Sequence, residues 1–159
     1  VRERSVALER ASAVTDEVRE LLGELDAFLA GEYSAEQQHG VPIERLFEPH
    51  VRFFIARDGE EAVGCGGVAL FDGFAEVKRM YVRPAARGSG VAQALLARIE
   101  AEVRAAGRRT LRLETGIHQP AAIRLYERAG FRACPAFEPY ASMPAAAIAT
   151  SLFYERTLA

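Results

Sequence analysis

The sequence predicts an α/β chain of the α+β type, a mixed and mostly antiparallel sheet of six to seven strands flanked by about four helices. Three observations carry this. Two Asp-Gly pairs, Asp58-Gly59 and Asp72-Gly73, punctuate the apolar stretch 51–82, which gives three consecutive antiparallel strands. A helical pattern over 91–106 follows, with glycines at its start and Gly107 at its end. A strand, a helix and another strand come next, which turns the sheet from antiparallel to mixed. At 159 residues the chain suits one domain, 1–159, with a full hydrophobic core.

The elements are justified in order. "SVALER" (5–10) reads as a first strand. Thr15 followed by Asp16 and Glu17 is a helix start, a hydroxyl cap with acids in the first turn. Val18, Leu21, Leu22, Leu25, Phe28 and Leu29 then recur at helical spacing. A short second helix is expected around 42–48, between loops. After the three strands, Val91, Leu95, Leu96, Ile99 and Val103 mark one face of the most regular helix. "RTLRLET" (109–115) alternates as a strand. "PAAIRLYERAG" (120–130) has Pro at a helix start and Gly at its end. "FRACPAF" opens another strand, a loop with two prolines follows, and "TSLFYERTL" (150–158) closes the chain.

Composition excludes several classes. The net charge is −2 and the single lysine is Lys78, so no basic face for nucleic acid is expected. No apolar run approaches the ~18 residues of a membrane span, and "VRERSVALER" has no signal-peptide core, so a cytoplasmic location is expected. Cys65 and Cys134 form no CxxC pair; both read as buried packing residues rather than a disulfide framework or zinc site.

"VRPAARGSGVAQALL" (82–96) carries the chemistry. Gly88 and Gly90 stand at a strand-to-helix junction beside Arg87, where free N–H groups and the helix dipole suit a phosphate. The loop lacks the Gly-Lys-Ser/Thr ending of a Walker A loop, and Gln93 stands where a dinucleotide fingerprint needs a small residue. The plain alternative is a glycine turn that only caps a helix.

Arg87-Gly88-Ser89-Gly90-Val91-Ala92 resembles the R/Q-x-x-G-x-G/A signature of the GCN5-related N-acetyltransferase (GNAT) family. "AEVKRMYVRP" resembles that family's fourth strand, and "RLYERAGF" (124–131) its L-Y-x-x-x-G-F element. The element order is similar over nearly the whole chain. The resemblance implies a GNAT fold, splayed between the fourth and fifth strands, with acetyl-CoA as cosubstrate and no metal. It implies that the main chain of Met80, Tyr81 and Val82 binds pantetheine. Arg87, Gly88, Ser89, Gly90, Val91 and Ala92 would bind the pyrophosphate. Gln119 stands where the family often has Asn, so its amide is expected to reach the cofactor from slightly further away.

Direct acetyl transfer from a thioester makes two proton demands. The amine must lose a proton, and the departing thiolate, of pKa ~8.5 as a free thiol, must gain one or be stabilised. By the resemblance Tyr126 is the acid beside the thioester; a core aromatic is the alternative. Glu76 is the expected base and Glu114 the second choice, while His118 reads as a loop residue. Tyr33, Glu114 and Tyr140 are expected on the acceptor side; Phe47 and Phe54 read as packing. The acceptor is expected to be a primary amine of a small molecule, or a Lys or N-terminal amine of a protein, and a homodimer is compatible with the family. Two rivals are a non-catalytic acyl-CoA-binding regulatory module and an acyltransferase using another acyl-CoA.

Overall fold

Antiparallel pairing builds both halves of a seven-stranded sheet, and one parallel crossover joins them. The structure is a computed structural model that describes residues 6–159; Ser5, the first residue of the expected opening strand, lies outside the described residues. In chain order come β1 (Val6–Arg10), α1 (Asp16–Glu32), β2 (Val51–Asp58), β3 (Glu61–Leu70), β4 (Ala75–Val82), α2 (Val91–Ala105), β5 (Thr110–Gly116), α3 (Pro120–Arg128), β6 (Arg132–Ala133) and β7 (Ser151–Thr157). The sheet order is β1-β2-β3-β4-β5-β7-β6. The last strand therefore slots between β5 and the two-residue β6, which Pro135 cuts short. Among the described residues no helix is long and apolar enough to cross a membrane.

The helices form where the caps and apolar stripes predict. Thr15 Oγ1 accepts the Val18 N–H at 3.3 Å, and Val18, Leu21, Leu22 and Leu25 of α1 bury against Phe53, Ile55, Cys65 and Tyr81 on one face of the sheet. Val91, Leu95, Leu96, Ile99 and Val103 of α2 bury against Phe54, Val63, Val77, Leu111 and Leu113 on the other. Both α2 and α3 end in Schellman motifs: Arg108 N–H bonds Val103 O at 3.0 Å, and Phe131 N–H bonds Tyr126 O at 3.0 Å. The expected second helix is a 3-10 helix, Ile43–Phe47, preceded by another at Ala35–Gln37. Pro42 and Pro49 bracket too few residues for an α-helical hydrogen-bond ladder, so three α-helices stand where about four were expected.

Two irregularities open the sheet. β4 and β5 pair in parallel only at Ala75–Leu111 and Glu76–Arg112, and beyond that point no pairing joins them. Between Lys78, opposite Gly67, and Tyr81, opposite Cys65, β4 holds an extra residue, with Arg79 at φ +56°. This bulge shifts the strand's phase by one residue. Ala75 and Val77 face the α2 side before it, whereas Met80 and Val82 face that side after it. β3 accommodates the bulge with "GCGG": a Cβ at Gly66 would overlap the Met80 sulfur.

The far end of β5 is tied to α1. Tyr33, the residue that ends α1, accepts the His118 N–H on its hydroxyl at 2.9 Å, and its ring packs on His118 at 5.3 Å. A Cβ at Gly116 would fall on that phenol. Gly116→Ala is therefore expected to cost about 1–3 kcal/mol through overpacking. Thermal denaturation should show a fall of about 2–4 °C per kcal/mol, and Tyr33→Ala in the same chain should recover part of it.

Candidate active site

The glycine junction is built as a helix N-terminus without a side-chain cap. A 3-10 turn at Pro84–Ala86 redirects the chain after β4, and Gly88 and Gly90 take φ of +78° and +87°. Gly90 is the residue before α2, so the first N–H groups of α2 are left for a ligand. Arg87 Nε donates to Val82 O at 3.0 Å, and its guanidinium sits 6.0 Å from the exposed Phe28 ring. The Ser89 hydroxyl turns back onto Ala86 O, so Ser89 offers its main chain alone.

A cleft of about 600 Å³ runs from this junction along the gap between β4 and α3. Its walls include Met80, Tyr81 and Val82 from β4, Arg87, Gly88, Gly90, Val91 and Ala92 from the junction, and Gln119 and Tyr126. The volume lies within the ~300–1,000 Å³ of ligand sites. A gap between strands, unpaired strand edge and uncapped helix N-terminus fit a long thioester with a pyrophosphate at one end. Ser89 is the one predicted cofactor residue outside the cleft wall.

A second, smaller cavity of about 120 Å³ shares the walls Met80, Gln119, Ala122 and Tyr126 with the first. It brings together Tyr33, Glu114 and Tyr140, the residues expected on the acceptor side, with Glu76, the expected base, and with Lys78, Arg79 and His39. Strand periodicity explains much of this. Glu76 pairs with Arg112, and Glu114 lies two residues on, so both carboxylates share one face of the sheet as β4 and β5 diverge.

The carboxylates have different surroundings. Glu76 is 2% exposed; one of its oxygens accepts the Tyr140 hydroxyl at 2.6 Å and pairs with the Lys78 ammonium at 2.8 Å. Lys78 also donates to the Tyr140 oxygen at 3.0 Å, which closes a three-membered network. Burial, then the Glu76 charge, pushes the Tyr140 phenol far above its ordinary value. Glu114 is half-buried, and no other side chain holds it so tightly. Burial raises its pKa above the ordinary carboxylate range and Glu76 adds to this, while the Ser151 hydroxyl, His39 and Lys78 offset part of it. Tyr126, 6% exposed and edge-on to Phe131 at 5.7 Å, has its pKa raised by burial and then by Glu114. It holds its proton at neutral pH.

Other expectations are met in altered form. Gln119 bends back onto β5, where its Oε1 accepts the Gly116 N–H at 3.1 Å. Its carbonyl end is thus occupied while the residue still lines both cavities. Tyr81 sends its hydroxyl to Glu24 at 3.1 Å, so only its main chain is available to the cleft. Cys65 is buried, its thiol donates to Arg79 O at 3.5 Å, and burial pushes its pKa to about 12. Sequence reasoning missed Lys78, Arg79 and His39 as site residues. The signal for the first two was two consecutive cations inside a largely apolar strand.

Comparison with known proteins agrees with this geometry. The family model described as Acetyltransferase (GNAT) family matches residues 16–131. An IAA acetyltransferase from Azospirillum brasilense is 42% identical over 156 residues, covering 97% of this chain and 99% of the relative. A solved structure assigned as an acyl-CoA N-acyltransferase from Klebsiella pneumoniae subsp. pneumoniae is 36% identical with a TM-score of 0.78, covering 97% and 98% of the two chains. A Bacillus subtilis acetyltransferase solved in complex with CoA shares the fold at 16% identity and a TM-score of 0.68, covering 98% and 100%. With the match running from the first residue of α1 to just past α3 and a relative aligned over almost its full length, the chain belongs to the GNAT family and is an acetyl-CoA-dependent N-acetyltransferase.

Proposed function

We propose that the chain is one catalytic domain that acetylates a small-molecule amine, with the cofactor in the larger cleft and the acceptor in the smaller cavity. The observation that carries this is the position of Tyr126 on the wall common to both, with Glu114 on the acceptor side. The N–H groups at Gly88 through Ala92 hold the pyrophosphate, and the freed edge of β4 at Met80–Val82 orients the pantetheine arm. Acetyl-CoA supplies the activated acyl group. The small acceptor cavity supports a compact substrate, as does the relative from Azospirillum brasilense, named for acetylating IAA.

Glu114 takes the proton from the incoming ammonium, because its raised pKa suits a base and its oxygens are the less engaged. Glu76 instead holds Lys78 and Tyr140 in place as the cavity wall. Tyr126, protonated at neutral pH, gives its proton to the departing thiolate and regains one from the acylated nitrogen, which loses its second proton as the amide forms.

The test is thiol release from acetyl-CoA across a panel of amines, with wild type and Tyr126→Phe. Tyr126→Phe is expected to lower turnover about 10²-fold, the low end for general acid help because a thiolate leaves readily, with cofactor affinity unchanged. Unchanged turnover returns Tyr126 to a packing role. Tight binding of acetyl-CoA with no thiol release for any amine favours the regulatory module.

A further inference from the structure

Arg79 has more hydrogen-bonding capacity than the protein uses. Its side chain is 6% exposed, yet its one side-chain partner among the described residues is Asp26, bonded from Nη2 at 2.6 Å. That aspartate is itself 60% exposed, so water screens its charge. The Arg79 Nε–H is buried with no hydrogen-bond partner among the described residues. A guanidinium carries five N–H donors in a fixed fork, and buried donors without acceptors are rare in folded proteins.

The surroundings are shaped to this side chain. Arg79 sits in the left-handed region, at φ +56°, at the bulge that re-aims β4. A Cβ at Gly40 would overlap its guanidinium, so the loop over the cavity is glycine where it crosses the arginine. Both residues line the acceptor cavity.

The charges of that cavity then divide into two poles. Lys78 is matched by Glu76 at 2.8 Å. What remains within the cavity lining is Arg79 on β4, whose ion-pair partner Asp26 lies outside that lining, and Glu114 on β5, on opposite sides of the gap where the two strands diverge. An ammonium group is drawn to the carboxylate side and an anion to the guanidinium side. We infer that the acceptor carries a carboxylate as well as its amine, and that Arg79 is the residue that binds this carboxylate. This rests on assigning the smaller cavity to the acceptor. Two parallel N–H···O bonds from the fork would satisfy the donors left open, which a neutral amine would leave unpaired.

The experiment compares amino acids with their own carboxamides, which keep the amine and side chain and lose the negative charge. The panel holds the L-α-amino acids, β-alanine and 4-aminobutyrate, each paired with its amide, so the amine-to-carboxylate spacing is sampled. Thiol release is measured for wild type and Arg79→Gln, and calorimetry measures binding of the same compounds to the CoA-saturated protein. The carboxamide amine deprotonates more easily, which biases the kinetic comparison against the inference.

At least one acid is expected to exceed its amide in kcat/KM by roughly ten- to a hundred-fold, the range for charge-assisted hydrogen bonds. Arg79→Gln should lose that preference and keep its CoA affinity, which also reports that it folds. Turnover of acids and amides alike in the wild type overturns the inference and leaves the acetyltransferase site standing. A preference that survives Arg79→Gln overturns the role of Arg79. Binding of acids to the CoA complex without thiol release supports the inference and overturns the proton-transfer roles. Silence in both measurements overturns both.

Discussion

Glu114→Gln is expected to lower kcat/KM for amine acetylation by about 10²–10⁴, the range for loss of a positioned acid or base, with acetyl-CoA affinity unchanged. The amide keeps the shape of the side chain and removes its ability to take a proton. In the wild type the carboxyl must be ionised to act, so activity should fall as pH drops through its pKa. Burial puts that fall above the ordinary glutamate value of about 4.3. The variant should lose this acid limb as well as the rate.

Stability separates this outcome from misfolding. A carboxyl whose folded pKa is raised contributes stability that is present below its unfolded pKa and lost as pH rises through the folded one. Above its folded pKa the wild type carries a half-buried charge that Glu114→Gln does not. The variant should therefore melt no lower than the wild type at about pH 8, and relatively lower at about pH 4, below the ordinary glutamate value. If Glu76→Gln instead removes the acid limb while Glu114→Gln retains it, the base is Glu76. In the geometry described, Glu76→Gln removes the partner of Lys78 and loosens Tyr140, so its main effect should be on the acceptor's KM.

What could be read from the sequence follows the range of each interaction. The Asp-Gly turns, the Thr15 cap, the stripe of α2 and the glycine ends of α2 and α3 are local, and each formed where the pattern put it. The 42–48 segment misled because apolar spacing reports a face without reporting whether enough residues stand between two prolines to close α-helical bonds. The residue that carries the β4 bulge could not be read locally, for a different reason. In "AEVKRMYV" the alternation breaks at Lys78-Arg79, but which residue there is the extra one is fixed only against its partner β3. That slip changes the phase at Arg79, which lines the acceptor cavity, whereas Lys78 still pairs in register before it. The Glu76–Lys78–Tyr140 network joins residues more than sixty positions apart, so no local spacing could reveal it. The pyrophosphate loop was legible because its chemistry needs consecutive backbone amides, and consecutive residues are what a motif records.

Gly90→Glu is expected to abolish measurable acetyl-CoA binding by calorimetry while the fold survives. Gly90 lies at φ +87°, where a side chain costs about 1–2 kcal/mol of backbone strain. Yet nothing lies within 4 Å of the Cβ it would add, so packing is not disturbed. A carboxylate at that position also faces the positive end of α2, which returns about 0.3–1 kcal/mol to the helix. The dipole offsets part of the strain, so the net cost to the free protein stays below about 2 kcal/mol. In the complex the same carboxylate would stand at the pyrophosphate site, where two anions would share one set of N–H groups in a partly dry cleft. Gly90→Ala separates the contributions, because it carries the strain without the charge. It should weaken binding modestly, and raising the salt concentration should leave its affinity relative to wild type nearly unchanged. If Gly90→Ala and Gly90→Glu lose affinity equally, backbone shape alone holds the ligand; if neither loses it, the pyrophosphate lies elsewhere in the cleft. A large loss confined to the glutamate variant is the outcome that follows from an uncapped helix N-terminus serving as the anion site.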